Sequence, residues 1–331
     1  MNVLSLFDGI SCAMVALERA GIPVNKYYSC EIEKNAMKVS KKNYPDIISL
    51  GSVIDFNKDM IKEPIDLLIG GSPCQDLSIA KKERKGLEGD RSSLFFEYVR
   101  IKNEMNPKYF ILENVASMKK EDKDIISGIM GCEPVMFNAS LVSAQTRKRY
   151  FWTNIQFDLP EDRGILLKDI LQPDAQANRV YSPEGKSCTL SANGGGLGAK
   201  TGLYYLEGKE ITSDPKQNKG LFITEENKLA VVEGVKKGFT EINDYQSVDL
   251  SYANCKTMRR GRVGDKAKNL MTGNNIHVNQ NNIIRKLTSI ECERLQSLPD
   301  NYTDSIAMTN RYKCLGNAFN VEVVAHILKH M

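Results

Sequence analysis

Short apolar runs alternate with amphipathic stretches through the first half of the chain. Val3-Leu4-Ser5-Leu6-Phe7 reads as a strand running into Asp8-Gly9, and residues 11–20 after it suit a helix that Gly21 stops. Tyr27-Tyr28-Ser29-Cys30 reads as a second strand, ending at Glu31, with a helix expected over 35–43. A third strand is expected at 65–69 and a fourth at 109–112. Between them, apolar residues at 94, 95, 98, 99 and 101 predict a helix over 92–103. Two further strands are expected at 137–141 and 150–153. Strand, glycine turn, helix, strand, acid is the opening of a nucleotide-binding α/β unit.

The pattern changes after about Pro160. From there to about Asn282 the chain is rich in Gly, Asn and Lys, with short strand-like runs such as Leu203-Tyr204-Tyr205-Leu206 and no long amphipathic helix. Asn193-Gly194-Gly195-Gly196-Leu197-Gly198 has linker composition but is too short to explain the whole stretch. A weak internal echo links 186–194 with 266–274, where a leucine precedes a small hydroxyl-bearing segment and a glycine turn. Helical patterning returns from Arg285, with helices expected over 289–296 and 319–328. The expected organisation is an α/β domain with a mainly parallel sheet built from 1–158 and 284–331, interrupted by a smaller β-rich domain at 159–283.

Composition narrows the class. The 331 residues are 41% hydrophobic and 26% charged, as in ordinary globular proteins, and the formal charge is +4. That balance alone is weak support for a polyanionic partner. Lys81-Lys82-Glu83-Arg84-Lys85, Arg147-Lys148-Arg149 and Arg259-Arg260-Gly261-Arg262 are separate basic clusters, and a solvated surface accounts for any one of them. Eight cysteines show no Cys-x-x-Cys spacing and histidine occurs only three times, so no metal site is expected. The start lacks the pattern of a secretory signal, and no run is long enough to span a bilayer. The expectation is a cytoplasmic protein with reduced thiols and no membrane association.

One thiol stands apart. Cys74 follows the apolar run Ile65-Asp66-Leu67-Leu68-Ile69 and the tight Gly70-Gly71-Ser72-Pro73, which places it at a strand end. Glu113-Asn114 ends the next apolar strand, so a nucleophile and an acid meet as a candidate reaction centre. No histidine lies near Cys74 in sequence, which disfavours a cysteine hydrolase. The Phe7-Asp8-Gly9-Ile10-Ser11 turn lacks a full dinucleotide pattern, and no phosphate loop occurs. An adenosyl ligand without pyrophosphate needs less backbone opening, and Glu31 is placed to take its ribose hydroxyls. The same position suits an exposed strand-end acid.

Several motifs in order resemble the C5-cytosine-specific DNA methyltransferases. They are Leu6-Phe7-Asp8-Gly9, Gly71-Ser72-Pro73-Cys74-Gln75, Glu113-Asn114-Val115, Gln145-Thr146-Arg147-Lys148-Arg149, Arg285-Lys286-Leu287-Thr288 with Glu291 and Arg294-Leu295-Gln296, and Gly316-Asn317. The resemblance covers roughly 1–155 and 284–331. The compact length looks bacterial or bacteriophage, while Ser72-Pro73-Cys74-Gln75-Asp76-Leu77-Ser78 has some likeness to the animal de novo branch. The implied fold is that of S-adenosylmethionine-dependent methyltransferases, with S-adenosylhomocysteine as product. The implied chemistry is a Cys74 thiolate adding to cytosine C6, Glu113 at N3 and the 4-amino group, Arg149 at O2, and Arg147 in support. Phe7, Asp8, Gly9, Glu31, Ile32, Ser52, Val53, Pro73 and Asn317 are the implied cofactor residues. Where the family has an acid after the third cofactor motif's glycine, this chain has Gly51-Ser52-Val53, and Asp55 stands in a different register.

The implied partner is double-stranded DNA with the target base turned out of the helix. Gln75, Ser78, Lys82, Arg84, Arg91 and Gln145 are implied contacts on the catalytic side, and Arg259, Arg260 and Arg262 on the recognition side. The resemblance also points to a restriction-modification setting, with a cognate endonuclease as a separate protein, and to a monomer. Two other readings stay open on sequence: a tRNA cytosine-5 methyltransferase, and a non-catalytic DNA-binding relative, against which stand the retained Cys74, Glu113 and Arg149.

Overall fold

Two-residue alternation sends successive side chains of the central strands to opposite faces of one sheet. Val3, Leu67, Ile69 and Ile111 enter one apolar cluster, while Leu4, Leu6, Leu68 and Leu112 enter another. The strands are therefore buried on both faces, as a parallel sheet between helical layers requires. The computed structural model describes residues 1–73, 94–172, 180–181, 203–204, 220–226, 228–250, 261–272, 276–280 and 283–331.

The large sheet contains β1 (Asn2–Leu6), β2 (Lys26–Cys30), β3 (Ile48–Gly51), β4 (Leu67–Gly71), β5 (Tyr109–Val115), β6 (Val135–Asn138) and β7 (Lys148–Thr153). Its order is β3-β2-β1-β4-β5-β7-β6. The first five strands are parallel, and β7 runs antiparallel to both β5 and β6. The order reverses between β1 and β4, so a crevice opens beyond the carboxyl ends of those two strands. One face carries α1 (Cys12–Arg19) and α2 (Lys34–Asn43), and the other carries α3 (Leu94–Met105) and α4 (Lys120–Met130).

The C-terminal part returns to the α1 face as α5 (Ser289–Leu295), α6 (Met308–Asn317) and α7 (Val321–Leu328). Thr288 and Glu291 cap α5 reciprocally, and Glu291 also accepts from the Gln172 backbone N–H at 2.9 Å. Arg294 donates to the Ile170 carbonyl at 2.9 Å. Several motif residues near 288–296 thus fasten the returning chain to 170–172. The Tyr302 hydroxyl reaches the Ile10 carbonyl at 2.7 Å, closing the N-terminal turn from the other end of the sequence.

The smaller β part holds β8 (Val180–Tyr181) parallel to β9 (Leu203–Tyr204) and an antiparallel sheet of β10 (Leu221–Ile223), β11 (Leu229–Val232) and β12 (Phe239–Glu241). A four-stranded sheet joins β13 (Ser247–Asp249), β14 (Val263–Gly264), β15 (Ile276–Gln280) and β16 (Ile283–Lys286) in the order β14-β13-β15-β16. Leu221 and Val231 of the three-stranded sheet share one apolar cluster with Val248 and Ile284 of the four-stranded sheet.

Three expectations change. The strand expected third is the fourth, because the short β3 precedes it with a half-exposed pattern that carries little apolar signal. The strand expected at 137–141 ends at Asn138, whose side chain accepts from the Ser140 and Arg147 backbone N–H groups and turns the chain. Helical structure starts after Thr288 rather than at Arg285, since β16 occupies 283–286. Among the described residues, no helix is long and apolar enough to cross a membrane.

Glu322 joins α7 to Arg19 of α1 and to Arg163, both at 2.7 Å. Burial opposes its charge, but the hydrogen bonds from Arg163 and Arg19 outweigh it and hold the carboxyl below its ordinary value of 4.5. Its contribution is fully present above about pH 4.5 and is lost as pH falls through the folded value. Glu322→Gln is expected to cost about 1 kcal/mol at pH 7, after allowance for solvent screening. Denaturant midpoints should converge with wild type as pH falls below 4.5 through the folded value; a difference that does not shrink with falling pH would show that the carboxylate charge is not the source.

Candidate active site

Five strand ends converge on one cavity of about 350 Å³. Phe7 follows β1, Glu31 follows β2, Ser52 follows β3, Gly71 closes β4 and Glu113 lies in β5; all line this cavity. Phe7 has φ of 56° and Ser11 of 58°, conformations that side chains rarely adopt. Each costs on the order of 1–3 kcal/mol, which marks this turn as held by its surroundings. The Asp8 carboxylate does much of the holding, accepting from the hydroxyls of Ser11, Tyr27 (2.6 Å) and Ser29 (3.0 Å). Burial pushes Asp8 above the usual carboxylate range, with those hydrogen bonds opposing the shift. Asp8 borders the cavity while its carboxylate serves the turn.

Glu31 gathers three backbone N–H groups, from Gly9, Ile32 and Glu33, each at 2.8 Å. Its carboxylate is therefore fixed at the lip between β1 and β2. Beside it Phe7, Ile32 and Val53 supply apolar wall, and Ile32 is 72% exposed, a large apolar side chain left open to the cavity. The Ser52 turn is clamped from α3, where Arg100 donates to the carbonyls of Val53 at 3.0 Å and Phe56 at 3.3 Å. Ser52 borders the cavity; Asp55 is exposed and not part of its wall.

The other end is built by the pairing of β4 with β5. Gly71 sits opposite Glu113, and a Cβ on Gly71 would stand 2.9 Å from Glu113 Oε2. Gly70 is equally confined, its missing Cβ falling 2.6 Å from the Leu6 carbonyl oxygen. Next along, the Asn114 amide donates to the Ser72 hydroxyl at 3.1 Å and to its carbonyl at 3.3 Å. The segment leading to Pro73 is thus tied to β5 by side chain as well as backbone. Arg149, on β7, places Nε 2.8 Å from Glu113 Oε1, with only 13% and 15% of the two side chains exposed. Arg147 is buried, donating to the carbonyls of Gly316 (3.3 Å) and Ala318 (2.7 Å) and to Asn269 Oδ1 (2.7 Å).

Phe7, Asp8, Gly9, Glu31, Ile32, Ser52, Val53, Pro73 and Asn317 all border the one cavity, together with Glu113, Arg147 and Arg149. Cys74, Gln75, Ser78, Lys82, Arg84, Arg91, Arg259 and Arg260 lie outside the described residues. Two of the expected DNA contacts fall on described residues, and both are buried in the absence of DNA. Gln145 is fully buried, and its backbone pairs in a parallel bridge with Ala267. Arg262 is 3% exposed, donating its guanidinium to the Asp249 carbonyl while its backbone N–H meets Glu233. Sequence reasoning gave Asn114 no role, although its place beside Glu113 in the motif carried the signal. It also passed over Cys30 and Cys314 on the cavity wall; burial pushes each thiol up to about 12, so both stay neutral and unreactive. Among the described residues, no group of three or more His, Cys, Asp or Glu is placed to hold a metal ion.

The family model for C-5 cytosine-specific DNA methylase matches residues 1–331. The chain belongs to that family. The type II methyltransferase M.HhaI of Haemophilus parahaemolyticus is 29% identical over 272 residues, spanning 66% of this chain and 82% of its own. The orphan methyltransferase M.SPRI of Bacillus phage SPR is 26% identical, covering 100% of this chain and 97% of its own. The solved structure of Entamoeba histolytica methyltransferase EhMeth shares the fold at a TM-score of 0.61 and 16% identity, covering 100% of this chain and 97% of that one. As a member of the C-5 cytosine-specific DNA methylases, the chain methylates cytosine C5 in DNA with S-adenosylmethionine as donor. The cavity fits that donor: the Glu31 carboxylate at one lip can take a ribose diol, apolar wall lies beside it for a base, and Arg149 near Glu113 is paired with that carboxylate.

The Gly71–Glu113 approach yields a sharp expectation for this family member. Gly71→Ala should displace the Glu113 carboxylate and lower kcat by about 100-fold, in the range of a lost general acid. S-adenosylhomocysteine binding should hold within about threefold, because the clash lies away from the Glu31 lip. Equal losses in both would refute the assignment of Gly71 to the Glu113 end.

Proposed function

We propose that Cys74 is the nucleophile, Glu113 the acid and Arg149 the stabiliser in C5 methylation of a cytosine turned out of double-stranded DNA. The observation that supports this most is the Glu113–Arg149 pair on the wall of the cavity that Pro73 also borders. The described segment ends at Pro73, and Cys74 is the next residue in the sequence. A thiolate at that position adds to cytosine C6, forming the S–C6 bond and moving the ring electrons toward C5. Glu113 delivers a proton at N3 as this charge develops, and Arg149 donates to O2. S-adenosylmethionine, when bound, supplies an electrophilic methyl group. Loss of the C5 proton then returns the electrons that expel the Cys74 thiolate, so the enzyme turns over.

On this reading Glu31 holds the ribose hydroxyls, Phe7, Ile32 and Val53 pack against the adenosyl and methionyl parts, and Asn317 closes the wall. Ser52 replaces the family's acid as a neutral acceptor, and its turn is fixed by Arg100 instead. Residues 1–158 with 284–331 form the catalytic unit, and 159–283 recognise the DNA sequence as a monomer on duplex DNA. Separation of the catalytic motifs by this long β-rich segment favours DNA over tRNA.

Labelled S-adenosylmethionine should transfer its methyl group to duplex DNA and not to tRNA, and bisulfite sequencing should map the modified site. Transfer to tRNA alone would overturn the DNA reading. Cys74→Ser should lower transfer at least 1,000-fold, at the upper end of effects for catalytic groups. Duplex carrying 5-fluorocytosine at the mapped site should trap wild-type protein covalently, since no C5 proton can leave. Normal turnover by Cys74→Ser would remove Cys74 from the reaction.

A further inference from the structure

Arg147 is more than a neighbour of the reaction centre. One nitrogen of its guanidinium donates to Asn269 Oδ1 at 2.7 Å and more distantly to the Leu270 carbonyl at 3.5 Å, and the other to the carbonyls of Ala318 at 2.7 Å and Gly316 at 3.3 Å. A planar guanidinium keeps its nitrogens in a fixed relation, so orienting one edge orients the other. Its carbonyl partners flank Asn317, a wall residue of the cavity. Asn269 itself is not on that wall. It belongs to a strap, 265–272, that lies along the catalytic unit although it comes from the recognition part of the sequence.

The strap is laced in place by backbone bonds. Thr146 N–H donates to the Ala267 carbonyl at 2.7 Å, Ala267 N–H to Ala144 at 2.9 Å, and Leu167 N–H to Asp265 at 2.9 Å. Ala267 and Leu270 are fully buried, which fixes the strap's register. Its end abuts the turn after α6: a Cβ on Gly316 would stand 2.6 Å from Thr272 N and 2.7 Å from the Met271 carbonyl carbon. The strap thus meets the Asn317 turn twice, by direct backbone packing and through Arg147.

We propose that Asn269 is a positioning residue for the cofactor pocket, acting through Arg147 on the Gly316–Ala318 turn. The side-chain acceptor on the strap holds the guanidinium in the one orientation that braces both carbonyls, and the brace sets where Asn317 stands. Cofactor affinity therefore depends on a residue contributed by the recognition part of the chain. This rests on the assignment of the cavity to S-adenosylmethionine and adds a residue to it.

The test uses the full chain with S-adenosylhomocysteine as probe, so no DNA site need be known. Asn269→Ala should raise the Kd for S-adenosylhomocysteine about tenfold. The KM for S-adenosylmethionine should rise in parallel while kcat at saturating donor stays within about twofold, as loss of binding without loss of chemistry requires. Asn269→Asp keeps the acceptor and should restore a Kd near wild type, an outcome that a packing role would not give. An unchanged Kd in Asn269→Ala overturns the proposal, as does an Asp variant as weak as the Ala variant. Failure of wild type to bind S-adenosylhomocysteine would instead count against the cofactor assignment of the cavity.

Discussion

The close approach of β4 and β5 governs the reaction centre. Their register sets Gly71 opposite Glu113 with no room for a side chain between strand and carboxylate. Glu113 is then held on its other oxygen by Arg149 from an antiparallel neighbour. A carboxylate fixed on both sides loses little freedom when a substrate arrives, so it presents its oxygens at a defined point. The same pairing carries Asn114 to Ser72, which stops the chain from wandering just before the proposed nucleophile. Two adjacent residues of one strand therefore control both the acid and the approach to the thiol.

Electrostatics follow from this frame. The cavity has Glu31 and Glu113 at opposite ends, while the nearby arginines are already engaged, Arg149 with Glu113 and Arg147 with main-chain carbonyls. A cationic sulfonium placed between them has a carboxylate on either side, and the two arginines nearest Glu113 have their charge already shared. Burial keeps the thiols of Cys30 and Cys314 protonated, so the wall of a cavity built for an alkylating donor has no competing nucleophile there. The separation of reactive from inert thiols is thus a matter of environment, since cysteine chemistry tracks the thiolate.

How much of this was legible in the sequence varies with the kind of signal. Residues near the carboxyl ends of strongly apolar strands, Phe7, Glu31, Pro73 and Glu113, could be placed because the run before each one is unmistakable. β3 was missed because Ile48 is 39% exposed and the strand is only four residues long, so its pattern scarcely departs from a loop. Helices α4 and α6 were missed as well: both start without a side-chain cap, and α4 leaves Ile125 and Ile129 exposed, blurring its apolar stripe. The burial of Gln145 and Arg262 was not legible, because polar residues give no apolar pattern from which burial can be read. Both are buried, and only the three-dimensional partners Ala267 and Asp249 reveal that. Asn269 carried no signal at all, since its meaning depends on a guanidinium 122 positions away.

The return of the chain to α1 has a consequence for biosynthesis. Asn317, and the Gly316 and Ala318 carbonyls that Arg147 braces, belong to the same late segment as α7, which packs on α1 from the first domain half. A nascent chain that has reached Lys286 carries the whole seven-stranded sheet but has an open cleft where the cofactor pocket should close. During that interval the apolar face of α1 and the buried polar groups around Arg147 stand without their partners. The cofactor pocket is therefore completed only once the segment after Lys286 has been made, because that segment supplies Asn317 and the carbonyls that Arg147 braces.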